Sequence, residues 1–82
     1  MIRIVFFAAL KEALDCEGLE LAVADGTSLS QIIEQLVEQR PHWQQHLSSA
    51  SLLMAINHEM AEPEDTIKNN DEVAFFPPVT GG

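Results

Sequence analysis

The stretch SLSQIIEQLVEQR, residues 28–40, decides the fold because it is the strongest helix signal in the 82-residue chain. Its apolar residues recur at helical spacing and form one stripe, which consists of Leu29, Ile32, Ile33, Leu36 and Val37. Ser28 is placed to accept a hydrogen bond from the backbone N–H of Gln31, whose side chain reaches back in a capping box. Pro41 ends the helix, and the stripe requires a second layer to pack against.

Two segments before this helix have the composition of β-strands. Residues 1–8 (MIRIVFFA) are rich in β-branched and aromatic side chains. Alternation gives this strand two faces, with Ile2, Ile4 and Phe6 on one and Arg3, Val5 and Phe7 on the other. Residues 19–23 alternate in the same way and end at a turn, Asp25-Gly26. Between the two strands, residues 9–15 favour one or two turns of helix.

Further strands follow the helix. Residues 52–56 (LLMAI) predict a third strand that ends in a turn at Asn57-His58. Residues 60–61 predict a brief edge strand, and residues 72–76 (EVAFF) predict the last strand. We interpret the segment around His42, Trp43 and His46 as a short polar connection in which Trp43 anchors the core.

This order of elements predicts an α+β fold, with one main helix on one face of a mixed four- to five-stranded sheet. The first and last strands are expected to pair in parallel at the centre of the sheet, because a helix-containing crossover lies between them. The outline is that of a ubiquitin-like β-grasp. We expect one domain over residues 1–76 and an extended tail over residues 77–82.

Composition excludes several classes of function. The chain has 13 acidic and 4 basic residues, a net charge of -9, which disfavours nucleic acid and anionic membranes and favours a protein partner with a basic face. One cysteine excludes an internal disulfide, and we expect no metal site and no cofactor bound by this chain. No segment approaches the roughly 20 apolar residues that span a bilayer, so we expect a cytoplasmic protein.

The final stretch AFFPPVTGG, residues 74–82, carries the functional signal. Pro77 and Pro78 lack backbone N–H groups, so the strand cannot continue through them and the chain is expected to leave the sheet. Extended at ~3.3 Å per residue, the segment 77–82 would reach about 20 Å. Gly81 and Gly82 can thread a narrow passage because they have no Cβ. Adenylation by ATP would activate the terminal carboxylate toward a thiol, a persulfide or an amine.

The chain resembles the small subunits of molybdopterin synthase, a family of ubiquitin-like sulfur carriers in molybdenum cofactor biosynthesis. The likeness covers IRIVFFAALKE (residues 2–12), DGTSLSQIIEQL (25–36), AIN (55–57) and above all DEVAFFPPVTGG (71–82). Only the last stretch is highly specific, and the others are compatible with the family.

The resemblance implies a sulfur-donor subunit of a heteromeric sulfurtransferase, which is not an enzyme by itself. An adenylyltransferase resembling ubiquitin-activating enzymes would use ATP to adenylate Gly82, and a sulfur donor protein would supply the sulfur of a thiocarboxylate. Inside the large subunit of the synthase, that sulfur would pass to a cyclic pyranopterin phosphate. The tail residues expected in the partner's channel are Pro77, Pro78, Val79, Thr80 and Gly81. The tail has no cation, so the large subunit is expected to bind the phosphate.

We predict the partner-binding surface on the outer face of the sheet. If Phe75 faces the core, Phe76 faces outward, and the charged Glu72 on the same side supports this assignment. Phe7 would then lie beside Phe76, and Met60 would extend an exposed apolar patch. Alternatively, the protein's own loops cover both rings, since a shift of one residue exchanges Phe75 with Phe76.

Other functions stay open from the residues alone. A sulfur carrier for thiamine thiazole formation or tRNA thiolation would share the fold and the Gly-Gly end, although the AFFPPVTGG context argues against it. A ubiquitin-like modifier would place Gly82 in an isopeptide bond to a lysine. A β-grasp interaction module would use the sheet alone and tolerate loss of the tail, whose end would then be an ordinary frayed terminus.

Overall fold

Helices cover one face of a five-stranded mixed sheet in the computed structural model, which describes residues 1–49 and 51–77. The elements in chain order are β1 (Ile2–Phe6), α1 (Ala8–Leu14), β2 (Gly18–Leu21), α2 (Leu29–Gln39), a 3₁₀ turn (Pro41–Trp43), α3 (Gln44–Leu47), β3 (Leu53–Ile56), β4 (Glu59–Ala61) and β5 (Glu72–Phe76). Across the sheet the order is β2-β1-β5-β3-β4. The central pair β1 and β5 is parallel and the other neighbours are antiparallel, which confirms the predicted α+β arrangement.

Helix α2 begins with the predicted capping box. The Gln31 N–H donates to Ser28 Oγ at 3.2 Å, and the Ser28 N–H donates to Gln31 Oε1 at 3.0 Å. Two more N–H groups of the first turn donate to carbonyl oxygens of the loop before β5. The Leu29 N–H donates to the Asp65 carbonyl oxygen at 2.9 Å, and the Ser30 N–H donates to the Pro63 carbonyl oxygen at 3.0 Å. The described part of the chain contains no helix long and apolar enough to cross a membrane.

Aromatic rings form the centre of the core. Phe6 of β1 contacts Trp43 edge to face, with centroids 5.4 Å apart, and stacks on Phe75 of β5 at 6.1 Å. Trp43 is fully buried, which confirms that it anchors the core. The prediction of a polar connection around it is wrong, because the 3₁₀ turn and α3 put Trp43 and Leu47, four residues apart, on one buried face.

Gly18 in the edge strand β2 is expected to tolerate no side chain. A Cβ there would overlap the carbonyl oxygen of Ile4 on β1, and neither backbone can move without breaking the pairing of the two strands. Overpacking of this kind costs typically 1–3 kcal/mol, so we expect G18A to lose about 3 kcal/mol of the free energy of unfolding. Urea unfolding followed by circular dichroism measures that loss.

The matched control for G18A is G26A. A Cβ on Gly26 would meet nothing within 4 Å, so only its left-handed backbone, with φ of 88°, resists alanine. We expect a cost of about 1 kcal/mol from this conformation. Equal losses in the two variants would contradict the steric explanation for Gly18.

Candidate functional site

Two aromatic rings cover the outer face of the sheet, opposite the helices, where β1 and β5 end. Phe7 follows β1 and Phe76 is the last residue of β5, and their rings stack with centroids 5.2 Å apart and planes 14° from parallel. Phe7 is 45% exposed and Phe76 is half-buried, whereas Phe75 is fully buried in the core. The placement of Phe76 outward and beside Phe7 is therefore confirmed.

Small side chains form a shallow trough beside these rings. Ala74 of β5 lies opposite Ala55 of β3, which in turn lies opposite Met60 of β4. Both alanines are nearly buried although they belong to the outer face, because the larger neighbours flank them. The trough measures about 210 Å³ and is bounded by Phe76 and by Met60, which is 66% exposed. We call Phe7, Ala55, Met60, Ala74 and Phe76 the apolar patch.

The outer face becomes charged toward the opposite end of β5. Arg3 of β1 lies between Glu20 of β2 and Glu72 of β5 in the strand register. His58 Nε2 lies 3.3 Å from a Glu72 carboxylate oxygen, and both residues line the trough. The contact between His58 and Glu72 is exposed, so it contributes little to stability. The effect of these polar residues is instead on recognition, because a partner that covers the apolar patch meets carboxylates at one end of it.

Asn57 fixes the hairpin between β3 and β4 that carries Met60. Its Nδ2 donates to Asp71 Oδ1 at 2.8 Å, and its Oδ1 accepts from the Glu72 N–H at 2.9 Å. Asn57 and His58 have φ of 50° and 71°, so both central residues of the two-residue turn are left-handed. This pattern is that of a type I′ turn, which asparagine adopts readily. The predicted turn at Asn57-His58 is confirmed.

Replacing Asn57 by alanine is expected to destabilise the protein more than the same change at His58. Each variant places alanine in a left-handed conformation, at a cost of about 1–2 kcal/mol. N57A also removes two side-chain hydrogen bonds, worth about 1 kcal/mol each. Chemical denaturation should therefore give a difference of about 2 kcal/mol between N57A and H58A. Equal stabilities would show that the side chain of Asn57 does not hold the hairpin on β5.

Of the predicted tail, the structure describes only Pro77. β5 ends at Phe76, and Pro77 is half-buried beside α1 and α3. Pro78, Val79, Thr80, Gly81 and Gly82 lie outside the described residues, and with them the predicted point of activation. The division into a domain at residues 1–76 and a tail at residues 77–82 stays a prediction, as do the roles of the tail residues.

The side chains of the types that bind metal ions are dispersed among the described residues. Among residues 1–49 and 51–77, no three His, Cys, Asp or Glu side chains are placed to hold a metal ion. His42 and His46 belong to the 3₁₀ turn and α3, while His58 lies on the β3–β4 turn at the apolar patch. Cys16 is half-buried, and its thiol donates to the Gly18 carbonyl oxygen at 3.4 Å.

Sequence reasoning missed Ala55 as part of the apolar patch. A small residue in a strand gives no signal of its own, and its place between Ala74 and Met60 follows only from the register. Gln45 and His46, which line a groove beside Pro77, were missed because α3 was not predicted. The four-residue spacing of Trp43 and Leu47 was the signal for that helix.

Known proteins resemble the chain over its whole length. The molybdopterin synthase sulfur carrier subunit of Haemophilus influenzae is 37% identical over 82 residues, which cover 100% of both chains. SAMP1 from Haloferax volcanii has a TM-score of 0.84 at 23% identity and covers 99% of this chain and 98% of its own. A chain in the complex of subunits 1 and 2 of molybdopterin-converting factor from Helicobacter pylori has a TM-score of 0.68 at 20% identity, with 99% and 97% covered.

These likenesses confirm two predictions made from the sequence. The structural neighbours confirm the ubiquitin-like β-grasp, and the relative from Haemophilus influenzae confirms the resemblance to molybdopterin synthase small subunits. The sequence profile described as the ThiS family matches residues 4–82, nearly the entire chain. The chain therefore belongs to the ThiS family.

Proposed function

We propose that the chain is the sulfur-carrier subunit of a molybdopterin synthase. The observation that carries this proposal is the likeness to the sulfur carrier subunit of Haemophilus influenzae, at 37% identity over an alignment that covers both chains completely. The exposed apolar patch beside the end of β5 supports it, because a carrier must dock on the proteins that load and unload its terminus. No cofactor is assigned to this chain in the proposal.

Loading would take place at the carboxylate of Gly82, on an adenylyltransferase that resembles ubiquitin-activating enzymes. A carboxylate oxygen attacks the α-phosphorus of ATP, and pyrophosphate leaves. A hydrosulfide equivalent from a sulfur donor protein then attacks the carbonyl carbon, and AMP leaves with the oxygen that bound it. The product is a thiocarboxylate, and this chain contributes the carbonyl carbon while its partners contribute the nucleotide and the sulfur.

Unloading would take place inside the large subunit of the synthase. The thiocarboxylate sulfur adds to an electrophilic carbonyl carbon of a cyclic pyranopterin phosphate, and the electron pair of that C=O bond moves to its oxygen, which takes up a proton. Water then attacks the acyl carbon and cleaves the acyl carbon–sulfur bond, so that the sulfur leaves as a thiol on the pterin. Gly82 recovers its carboxylate, and the sulfur stays on the pterin. Binding of the substrate's phosphate group is assigned to the large subunit, because the 13 acidic residues of this chain outnumber its 4 basic ones.

The apolar patch is the surface we assign to the large subunit. Phe7 and Met60 are exposed to 45% and 66%, and Phe76 directly precedes the tail. Aromatic side chains at the centre of an interface carry much of the binding energy. Docking at this position would fix the root of the tail close to the partner, because Pro77 follows the patch without an intervening residue.

Intact mass spectrometry of the chain, purified from cells that contain the pathway, tests the proposal. We expect a fraction of molecules with one sulfur in place of one oxygen, located at Gly82 by fragmentation. Cells without the adenylyltransferase provide the control and should yield only the unmodified carboxylate. Branched conjugates to lysine in place of the sulfur form would contradict the proposal and favour a protein modifier.

A further inference from the structure

Pro77 lines a groove on the helix side of the sheet. The groove measures about 220 Å³ and is lined by Ala9, Leu10, Ala13, Gln45, His46 and Pro77 itself. The first three belong to α1 and the next two to α3. Pro77 is half-buried there although it lies beyond the last residue of β5. Its ring thus lies beside two helices at the point where regular pairing stops.

An unusual backbone conformation puts α1 in this position. Ala8, between Phe7 and the body of α1, has φ of 54°, a left-handed value that is strained for alanine. The chain there turns from β1 into a helix that contacts the end of β5. The Phe7 N–H donates to the Phe75 carbonyl oxygen at 3.2 Å, and this bond ties the turn to β5. Strain of this kind is retained where the surrounding structure demands it.

The last two described residues are therefore held from opposite sides. Phe76 stacks on Phe7 on the outer face, at 5.2 Å between centroids. Pro77, next in the alternation, faces the helices and lines the groove. Fixing successive residues on both faces determines where the chain leaves the sheet and also its direction.

We propose that Pro77 is a positioning residue for sulfur transfer, whose place beside α1 and α3 aims the tail toward the reacting carbon of the substrate. The inference rests on the proposed function. From Pro77 to Gly82 the chain spans about 16 Å when extended at ~3.3 Å per residue, so a change of direction at the root displaces its end by several ångströms. Displacements of about 1 Å from the productive geometry can slow a reaction by 10²-fold.

The test separates docking from transfer. The thiocarboxylated chain is bound to the large subunit, and single-turnover transfer to the cyclic pyranopterin phosphate is followed together with the dissociation constant of the complex. P77G should transfer sulfur about 10-fold more slowly, because misalignment at the root lowers the population of productive geometries. The dissociation constant should change less than about twofold, since the apolar patch is intact. P77V, which restores an apolar side chain to the groove, should recover most of the rate.

A second comparison asks whether Pro77 acts through the groove. H46A removes part of the opposite wall and should slow transfer in the wild-type background but not in P77G, because two changes to one contact are not additive. P63G, a change at an exposed proline of the loop before β5, should leave the transfer rate unaltered.

The outcomes distinguish this inference from the proposed function. A P77G rate equal to that of the wild type, or additive effects of P77G and H46A, would overturn the positioning role while the sulfur-carrier function stood. A loss of affinity equal to the loss of rate would also overturn it, because Pro77 would then belong to the docking surface. If the wild-type chain itself delivered no sulfur, the positioning role of Pro77 and the sulfur-carrier function would both be contradicted.

Discussion

Deletion of Gly81 and Gly82 is expected to abolish molybdopterin formation and to leave the thermal unfolding transition unchanged. The reason for the first effect is chemical: the carboxylate that receives sulfur would then belong to Thr80 and would lie about 7 Å closer to the sheet at ~3.3 Å per residue. The reason for the second effect is that glycine has no side chain to bury, so the apolar core, which runs from Ile2 to Phe75 among the described residues, does not depend on the two glycines. Synthase activity in a reconstituted assay and differential scanning calorimetry measure the two results.

The control for this deletion keeps the length of the chain. Substituting Glu38 by glutamine, at an exposed position of α2 outside the apolar patch and the tail, retains the Gly-Gly end and should retain sulfur transfer. Activity that survived the deletion would contradict the carrier function and would favour an interaction module that uses the sheet alone. A lower unfolding temperature after the deletion would show that the tail contributes to the stability of the domain.

Truncation of Phe76 to alanine is expected to weaken the complex with the large subunit by roughly 30-fold or more, since aromatic residues at the centre of an interface contribute at least 2 kcal/mol. F7A should have a comparable effect. Because the two rings stack at 5.2 Å, the double variant should lose less than the sum of the single losses. Calorimetric titration of each variant with the large subunit measures the dissociation constants.

V37A provides the matched control for these truncations. Val37 is a half-buried apolar residue of α2, on the helix side of the sheet, so its truncation changes packing without touching the apolar patch. The dissociation constant of V37A for the large subunit should equal that of the wild type. Wild-type affinity in both F7A and F76A would exclude the apolar patch as the docking surface.

Local signals in the sequence predicted the parts of the fold that depend on nearby residues. The capping box of Ser28 and Gln31 is contained in four successive positions, and it forms as expected. The alternation in β1 likewise put Ile2, Ile4 and Phe6 in the core, where each is at most 1% exposed. The segment 41–47 was misjudged because its histidines and glutamines suggest a solvated loop, whereas burial of Trp43 and Leu47 determines its structure.

The candidate site was predictable only in part, because its residues come from distant positions in the chain. Phe7, Met60 and Phe76 could be named since each is a large apolar residue at an expected exposed position. Choosing Phe76 over Phe75 needed the assumption that Glu72 faces solvent, and the structure supports that assumption because the Glu72 side chain is 38% exposed and Phe75 is fully buried. The groove around Pro77 could not be predicted, because it depends on the left-handed Ala8 and on the approach of α1 to α3.

Transfer of labelled sulfur tests the central claim most directly. The chain is loaded with radioactive sulfur by the adenylyltransferase, ATP and the sulfur donor, repurified, and mixed with the large subunit and the cyclic pyranopterin phosphate. The account predicts that the label leaves Gly82 and appears in molybdopterin, with recovery of the unmodified carboxylate on the chain. Label that stays on the chain while molybdopterin forms, or a terminus that accepts no label, would contradict it.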